Sequence, residues 1–298
     1  MTDPLLQRGL RLNFADGPLI MGVVNANTDS FSDPRSDSSP QLVIDHAASL
    51  VSGGADLLDV GGQTASPAVP EIGVDEELER VIPVIEALAE ALPHVPLSVD
   101  SYRVEVAEAA LRAGASVLNN IIGAQHVAFA TLAVRYGAAH VITHNPGAPK
   151  TKLLENERYD DVVTDVGDYF RLQLAELSQV AGAVDATIVD PGVDLAKTPA
   201  QSLELLRRAE EFDELGVPVL MAISRKDVIG VMTQSPPDER LAGTLAALGH
   251  LRRGGRRIFR LHDVAEARRY LMVTRHLDGF ESLAPDARLA TELRRRRA

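Results

Sequence analysis

Short apolar runs alternate with longer amphipathic stretches along nearly the whole chain, and this alternation constrains the fold more than any other feature. The apolar runs cover residues 18–24, 57–60, 96–99, 116–118, 139–143, 186–189, 218–223 and 257–260. The amphipathic stretches cover residues 41–52, 75–92, 104–113, 127–136, 160–181, 199–211, 239–252 and 265–277. Short apolar runs are typical of parallel strands buried on both faces, and apolar residues spaced three and four apart are typical of helices. Eight strands alternating with eight helices predict a (β/α)8 TIM barrel, an α/β fold.

The length of the chain agrees with a single barrel. Such a barrel takes roughly 250 residues, and the chain has 298. A doubly wound open sheet is the alternative, but that fold does not require eight units of similar length. No long linker divides the chain, so we expect one domain. Its parts are an N-terminal extension over residues 1–17, the barrel over 18–280 and a charged tail over 281–298.

Composition excludes several classes of function. A formal charge of −12 disfavours general binding to nucleic acid and adhesion to anionic membranes. The chain has no cysteine, so it has no disulfide, thiolate nucleophile or thiolate metal site. No apolar stretch approaches the roughly 20 residues of a membrane span, and the first residues lack the pattern of a signal peptide. We therefore expect a cytoplasmic protein that acts on small molecules.

Polar residues follow most of the apolar runs at the point where each strand is predicted to end. They are Asn25, Asp59, Asp100, Asn119, Asp190, Ser224, Lys226, Arg260 and His262. Strand ends of a parallel barrel meet at one face, so these residues predict one site. Its carboxylates and amides suit a nitrogen-rich heterocycle or a hard cation such as Mg2+, and spacing alone does not decide between them. The Lys, Arg and His at the last strands suit an anion such as phosphate or pyrophosphate.

Seven motifs, in family order, resemble those of the dihydropteroate synthase family. They read IMGVVN at 20–25, DSFSD at 29–33, GADLLDVGG at 54–62, SVDSYR at 98–103, DPG at 190–192, SRK at 224–226 and RLHD at 260–263. The resemblance implies a TIM barrel that forms a homodimer. It also implies a transferase of folate biosynthesis, which condenses 6-hydroxymethyl-7,8-dihydropterin pyrophosphate with p-aminobenzoate and releases pyrophosphate.

The resemblance also implies a role for each matching residue. The pterin-binding residues would be Asp100, Asn119, Asp190 and Lys226, of which Asp100, Asp190 and Lys226 would also be catalytic. The pyrophosphate contacts would be Arg260, His262 and Asn25, and Asn25 would also bind the Mg2+ cofactor. The second-substrate pocket would contain Ser224, Asp227, Thr64 and Ser66.

The departures from the family pattern concentrate in the loops. Ser66 stands where the family has Arg, and the family's DPGIGFGK becomes DPGVDLAK at 190–197. Asp227 stands where the family has Ser, close to the carboxylate of p-aminobenzoate. Two like charges about 4 Å apart at an effective dielectric near 20 repel by about 4 kcal/mol, or roughly a thousandfold in affinity. The alternative interpretation is that Asp227 caps a helix that starts at Val228.

Three hypotheses about function remain open. The first is a working dihydropteroate synthase with unusual loops. The second is a diverged pterin-binding paralogue that is inactive with p-aminobenzoate or joins the pterin to another nucleophile, such as a cationic amine. The third is a methyl-transferring barrel of the methyltetrahydrofolate type, which would not need the cluster of Lys226, Arg260 and His262.

Overall fold

The computed structural model describes residues 6, 9–26, 40–63, 70–147, 159–290 and 293. Within them, eight parallel strands close into a barrel in sequence order. The strands are β1 (Leu19–Asn25), β2 (Leu57–Gly61), β3 (Leu97–Asp100), β4 (Val117–Asn120), β5 (Ala139–Thr143), β6 (Thr187–Asp190), β7 (Val219–Ala222) and β8 (Arg257–Leu261). Each strand overlaps one predicted run, so the predicted TIM barrel is confirmed.

The helices surround the barrel, as expected when both faces of a parallel sheet must be covered. They are α1 (Pro40–Ser52), α2 (Val74–Ala91), α3 (Val104–Ala113), α4 (His126–Tyr136), α5 (Val162–Leu177), α6 (Pro199–Arg207), α7 (Asp227–Thr233), α8 (Leu241–Leu251) and α9 (Val264–Leu277). The expectation of one helix between successive strands is wrong at one place, because both α7 and α8 connect β7 to β8. Helix α7 has only seven residues, too few for a helical period to stand out in the sequence.

The barrel interior is packed with apolar side chains rather than open. Met21, Leu57 and Ile258 from three strands lie in one buried cluster, and Leu6 and Leu12 from the N-terminal extension join the same cluster. A second, larger cluster lies between the strands and the surrounding helices. Because the interior is filled, the polar residues at the strand ends face the mouth of the barrel rather than a channel. No helix in the described ranges is both long and apolar enough to cross a membrane.

Strand register determines which polar residues become neighbours at that mouth. Asp100 at the end of β3 pairs with Asn119 of β4, and Asp190 at the end of β6 pairs with Thr143 of β5. Successive side chains of a strand point to opposite faces, so a shift of one residue would remove these groups from the site. The register therefore sets the spacing of the site before any side-chain contact forms.

Candidate active site

One arginine at the centre of the mouth joins two carboxylates from different strands. Arg260 in β8 donates from Nε to Oδ2 of Asp59 at 2.6 Å and from Nη2 to Oδ2 of Asp100 at 2.9 Å. Asp59 is fully buried, and its second oxygen has no hydrogen-bond partner within the described part of the chain. One guanidinium thus faces two carboxylates, so this group of three carries a net negative charge when both acids are ionised.

Asp100 titrates much closer to neutral pH than an ordinary aspartate. Burial raises the pKa of Asp100 to about 7; Arg260 lowers it, and Asp59, Glu77 and Asp190 raise it further. Loss of the proton would place a second negative charge in a poorly solvated site, which explains the direction of the shift. Asp100 can therefore hold or release a proton near neutral pH.

Asn119 presents an acceptor whose orientation is set by Asp59. Its Nδ2 donates to Oδ2 of Asp59 at 3.1 Å. Its Oδ1 is buried and accepts no hydrogen bond from any described residue. A buried acceptor without a partner is costly, so a ligand that donates an N–H group at this point would gain a strong interaction.

Asp190 lies at the end of β6, where a backbone N–H group orients its carboxylate. Its Oδ1 accepts from the backbone N–H of Gly192 at 2.8 Å. Gly192 has φ of 72°, and a Cβ at this position would overlap the carbonyl oxygen of His144, so only glycine fits here. Burial raises the pKa of Asp190, although the N–H of Gly192 and the charge of Lys226 both lower it.

Lys226 lies at the mouth on the N-cap of helix α7. Burial lowers the pKa of Lys226, and the charges of Asp194 and Asp190 oppose that effect. Its ammonium forms no hydrogen bond with the residues that the structure describes, so its three donors are available to a ligand.

His262 and Ser224 form the exposed edge of the mouth. The Oγ of Ser224 accepts from the backbone N–H of His262 at 3.1 Å and lies 2.9 Å from Nδ1 of the same residue. Partial burial lowers the pKa of His262, and the nearby Arg260 and Arg225 act in the same direction. The contact with Ser224 leaves Nε2 of His262 for a ligand.

Asn25, the predicted metal ligand, is exposed at the end of β1 beside Gly61. The described residues contain no group of three or more His, Cys, Asp or Glu side chains that could hold a metal ion. Asn25 can offer one amide oxygen. Mg2+ often takes only one or two protein ligands together with substrate phosphates, so this donor fits a magnesium ion that arrives with a pyrophosphate.

Asp227 on the outer rim does not cap the helix, so that interpretation is wrong. Helix α7 begins at Asp227 itself, and the backbone N–H of Val228 donates to Oδ2 of Asp194 at 3.1 Å. The Asp227 side chain instead accepts from Arg240 at 3.0 Å and is 65% exposed. The loop after β6 folds over the start of α7, and Asp194 therefore reaches the N–H group first. The other predicted rim residues, Thr64 and Ser66, lie outside the described residues.

The structure thus adds two residues to those that the family roles assigned. Asp59 ends an apolar run, which is a usable signal in the sequence, but its partners come from β4 and β8. Asp194 carries a weaker signal, because nothing in the sequence indicates that it reaches the start of α7. The mouth brings together Asp100, Asn119, Asp190, Lys226 and Arg260, with His262 and Asn25 at its edge.

A filled parallel barrel whose mouth combines buried acceptors, carboxylates and cations defines a class of protein that binds a heterocycle together with an anion. Comparison with known proteins is more specific. The family model described as pterin binding enzyme matches residues 21–262. The dihydropteroate synthase of Escherichia coli strain K12 is 36% identical over 262 residues, which cover 88% of this chain and 92% of that protein.

Two further relatives differ in what their descriptions say about activity. A solved structure of dihydropteroate synthase from Xanthomonas albilineans with 4-aminobenzoic acid has a TM-score of 0.83 and 34% identity, and it covers 93% of this chain and 99% of that one. A protein of Mycobacterium bovis described as inactive dihydropteroate synthase 2 is 38% identical over 269 residues, which cover 89% of this chain and 84% of that protein. The chain belongs to the pterin-binding enzyme family, the family of the dihydropteroate synthases.

Proposed function

We propose that this protein is a dihydropteroate synthase, which condenses 6-hydroxymethyl-7,8-dihydropterin pyrophosphate with p-aminobenzoate to give 7,8-dihydropteroate and pyrophosphate. The observation that carries the proposal is the mouth itself. It holds a buried acceptor without a partner on Asn119 and a buried carboxylate on Asp190, with Lys226 and Arg260 beside them. This combination suits a ring rich in N–H donors that is linked to a polyanion.

The pterin ring would lie between Asn119 and Asp190. The guanidine-like edge of a pterin offers adjacent N–H donors, which pair well with the carboxylate of Asp190 and the Oδ1 of Asn119. Asp59 supports this arrangement because it accepts from Nδ2 of Asn119, while Oδ1 of Asn119 keeps its capacity to accept. Lys226 would donate to an acceptor atom of the ring.

The leaving pyrophosphate would meet the cationic edge. Arg260 uses Nε and Nη2 on carboxylates, and its Nη1 remains for a phosphate oxygen, as does Nε2 of His262. Donors already in place where charge develops lower the barrier without reorganisation during the reaction. Mg2+ bound at Asn25 would help to neutralise the charge of the pyrophosphate. The amine then attacks the exocyclic carbon of the pterin, so the enzyme needs no covalent nucleophile.

Asp100 would release and regain a proton while the amine replaces pyrophosphate. Burial raises the pKa of Asp100 to about 7, which is the range in which a carboxyl group can both donate and accept a proton at neutral pH. We assign Asp100 to a hydrogen bond with the pterin ring that its proton makes possible. The C–O bond breaks and pyrophosphate leaves with its electron pair, so the ring becomes electron-poor, and a proton passed from Asp100 to pyrophosphate would leave a carboxylate that stabilises the ring. The proton that the amine loses as the C–N bond forms would restore protonated Asp100.

A second candidate function is a paralogue that binds the pterin without making dihydropteroate. Asp227 favours this candidate, because one of its carboxylate oxygens accepts no hydrogen bond from a described residue and would face the carboxylate of p-aminobenzoate. The similarity to a relative described as inactive points the same way.

Product formation distinguishes the two candidates. Purified protein, the pterin pyrophosphate, p-aminobenzoate and Mg2+ should yield dihydropteroate, and the Lys226→Ala variant should lose that activity. If the protein binds the pterin pyrophosphate in a calorimeter but yields no product, it is the diverged paralogue. If it does not bind the pterin pyrophosphate, both candidates fail.

We also propose that the protein is a cytoplasmic homodimer that associates through α7 and α8. Val231 and Met232 on α7 are 53% and 51% exposed, and Ala242 and Ala246 are exposed on the neighbouring α8. Exposed apolar side chains on neighbouring helices favour association. Light scattering should give the dimer mass for the native chain and the monomer mass for Met232→Glu. Leu172→Glu, at an exposed leucine on α5, should leave the dimer intact. Cell fractionation tests the location.

A further inference from the structure

A cavity of about 600 Å³ lies on the rim between the loop after β6 and helix α7. Asp227 forms part of its wall and directly follows Lys226, and Asp194 forms another part. Of all nearby charges, Asp194 does most to favour the ammonium form of Lys226. The cavity therefore lies beside Lys226, the proposed contact of the pterin ring.

The two cationic side chains that line this cavity, Lys197 and Arg240, already donate hydrogen bonds within the protein. Lys197 donates its ammonium hydrogens to the backbone carbonyls of His144, Gly192 and Leu195 at 2.9, 3.2 and 3.1 Å. Arg240 donates from Nε to Ser235 and from Nη1 to the carbonyl of Arg225 and to Asp227. Its Nη2 lies against Gly230, and its side chain is only 12% exposed.

The first turn of α7 is also closed to an anion. The backbone N–H of Val228 would be a natural donor to a carboxylate, but it donates to Asp194 at 3.1 Å. Asp194 thus acts as a built-in anion at the place where a ligand carboxylate would have to bind. A second carboxylate there would find the N–H of Val228 already used and would meet the charges of Asp194 and Asp227.

Acceptor capacity, by contrast, remains available. Each of the two carboxylates uses one oxygen, and the second oxygen of each accepts no hydrogen bond within the described part of the chain. The Asp227 side chain is largely exposed to the cavity. The cavity thus contains charges of both signs, and the free oxygens of Asp194 and Asp227 suit a ligand group that donates hydrogen bonds.

We propose that this cavity binds the far end of the amine substrate and selects an arylamine whose substituent donates hydrogen bonds or carries a positive charge. An amidine or amide would be preferred over a carboxylate. This inference rests on the proposed condensation and names the chemical class of its second substrate.

Three isosteric amines test the proposal through their kcat/KM values with pterin pyrophosphate and Mg2+: p-aminobenzoate, p-aminobenzamide and p-aminobenzamidine. We expect the amidine to exceed the benzoate by about tenfold and the amide to lie between them. Asp227→Asn keeps the shape and removes the charge, so it should lower the amidine-to-benzoate ratio by about tenfold with KM for the pterin unchanged. Asp185→Asn, at the opposite end of β6, is the matched control and should leave the ratio unchanged.

Equal kcat/KM values for the amidine and the benzoate, or a ratio unaffected by Asp227→Asn, would overturn the proposal. If the protein turns over none of the three amines, the proposed condensation is wrong. Calorimetry of p-aminobenzamidine binding to the complex of the protein with pterin pyrophosphate then tests the cavity by itself. Binding of p-aminobenzamidine that weakens in Asp227→Asn supports the cavity as a site for donors. The proposal is overturned if p-aminobenzamidine does not bind, or if it binds equally well to the native protein and to Asp227→Asn.

Discussion

The inner mouth of the barrel and its outer rim differ in how strongly the fold controls their side chains. At the mouth, Asp59, Asn119 and Asp190 are buried on strands, and each has a partner from another element or from the backbone. At the rim, Asp194 and Asp227 lie in a loop and a short helix, and Asp227 is largely exposed. An unpaired buried charge is expensive, so the mouth tolerates few changes, whereas the rim can change its chemistry at small cost.

The rim has changed its side chains in places where its backbone shape favours glycine. Asp194 has φ of 61° and Ala196 has φ of 50°, both in the left-handed region. The family pattern has glycine at both positions. The loop therefore keeps a conformation suited to glycine and accepts the strain of two Cβ atoms. In return, Asp194 caps α7, which a glycine could not do.

The largest expected effect is at Lys226, where the mouth meets the rim. Lys226→Ala should lower kcat by about a hundredfold or more, because it removes a donor already in place beside the reacting groups. Steady-state kinetics with p-aminobenzoate measures the loss. Thermal unfolding is the control and should change little, because Lys226 makes no hydrogen bond with the described residues. A kcat near that of the native protein would show that the cation is not part of the chemistry.

The next effect distinguishes Asp190, at the mouth end of β6, from Asp185, which precedes the other end of that strand. Asp190→Asn should weaken binding of the pterin pyrophosphate by about 10- to 150-fold, the range expected when a charged hydrogen bond is lost. The identical change at Asp185, which precedes β6 and is exposed, should have no effect. Calorimetry measures both. Equal affinities of the two variants for the pterin pyrophosphate would show that Asp190 does not contact the pterin.

The raised pKa of Asp100 predicts a pH dependence of stability. Folded Asp100 has a pKa of about 7 against an ordinary aspartate value of 3.8. The folded state thus holds this proton between those values, where the unfolded state has lost it. Stability must therefore fall as the pH rises through this window, by up to about 1.4 kcal/mol per pH unit. Asp100→Asn removes this slope.

Urea unfolding of the native protein and the Asp100→Asn variant at pH 4, 5, 6 and 7 measures that slope. The difference in free energy of unfolding should shift steadily in favour of the variant as the pH rises. Asp185→Asn provides the reference for loss of an ordinary carboxylate. A difference that is constant with pH would contradict the raised pKa of Asp100.

The smallest effect concerns strain at the rim. Ala196→Gly should stabilise the protein by up to about 1 kcal/mol, because glycine adopts a left-handed φ without steric cost. Ala175→Gly, at an exposed position of α5, should destabilise it by about 0.5–1 kcal/mol. Thermal unfolding of both variants checks the opposite signs. Destabilisation by Ala196→Gly would show that the loop is not strained.

The sequence predicted the mouth better than the rim, for a physical reason. Strand-end residues such as Asp100 and Asp190 follow apolar runs, and closure of a parallel barrel brings those ends together whatever the loops do. Helix α7 was missing from the eight predicted amphipathic stretches, because a seven-residue helix shows no clear period, and a helix starting at Val228 entered only with the interpretation of Asp227 as its cap. The contact from Asp194 was not predicted, because it joins the loop after β6 to a separate helix. The interpretation of Asp227 as a helix cap was wrong for the same reason, because the contact at the start of α7 comes from a distant loop.

The sequence by itself determined the alternation of strands and helices, the polar strand ends and the order of the family motifs, all of which are local patterns. Only the tertiary structure decided that Arg260 would join Asp59, a residue 201 positions away, to Asp100. It also decided that Asn119 would donate to Asp59 and that Asp194 would accept from the backbone N–H of Val228 at the start of α7. These are contacts between distant segments, and no local preference encodes them. They form only once the barrel closes, because burial then favours pairing of polar groups that water no longer reaches.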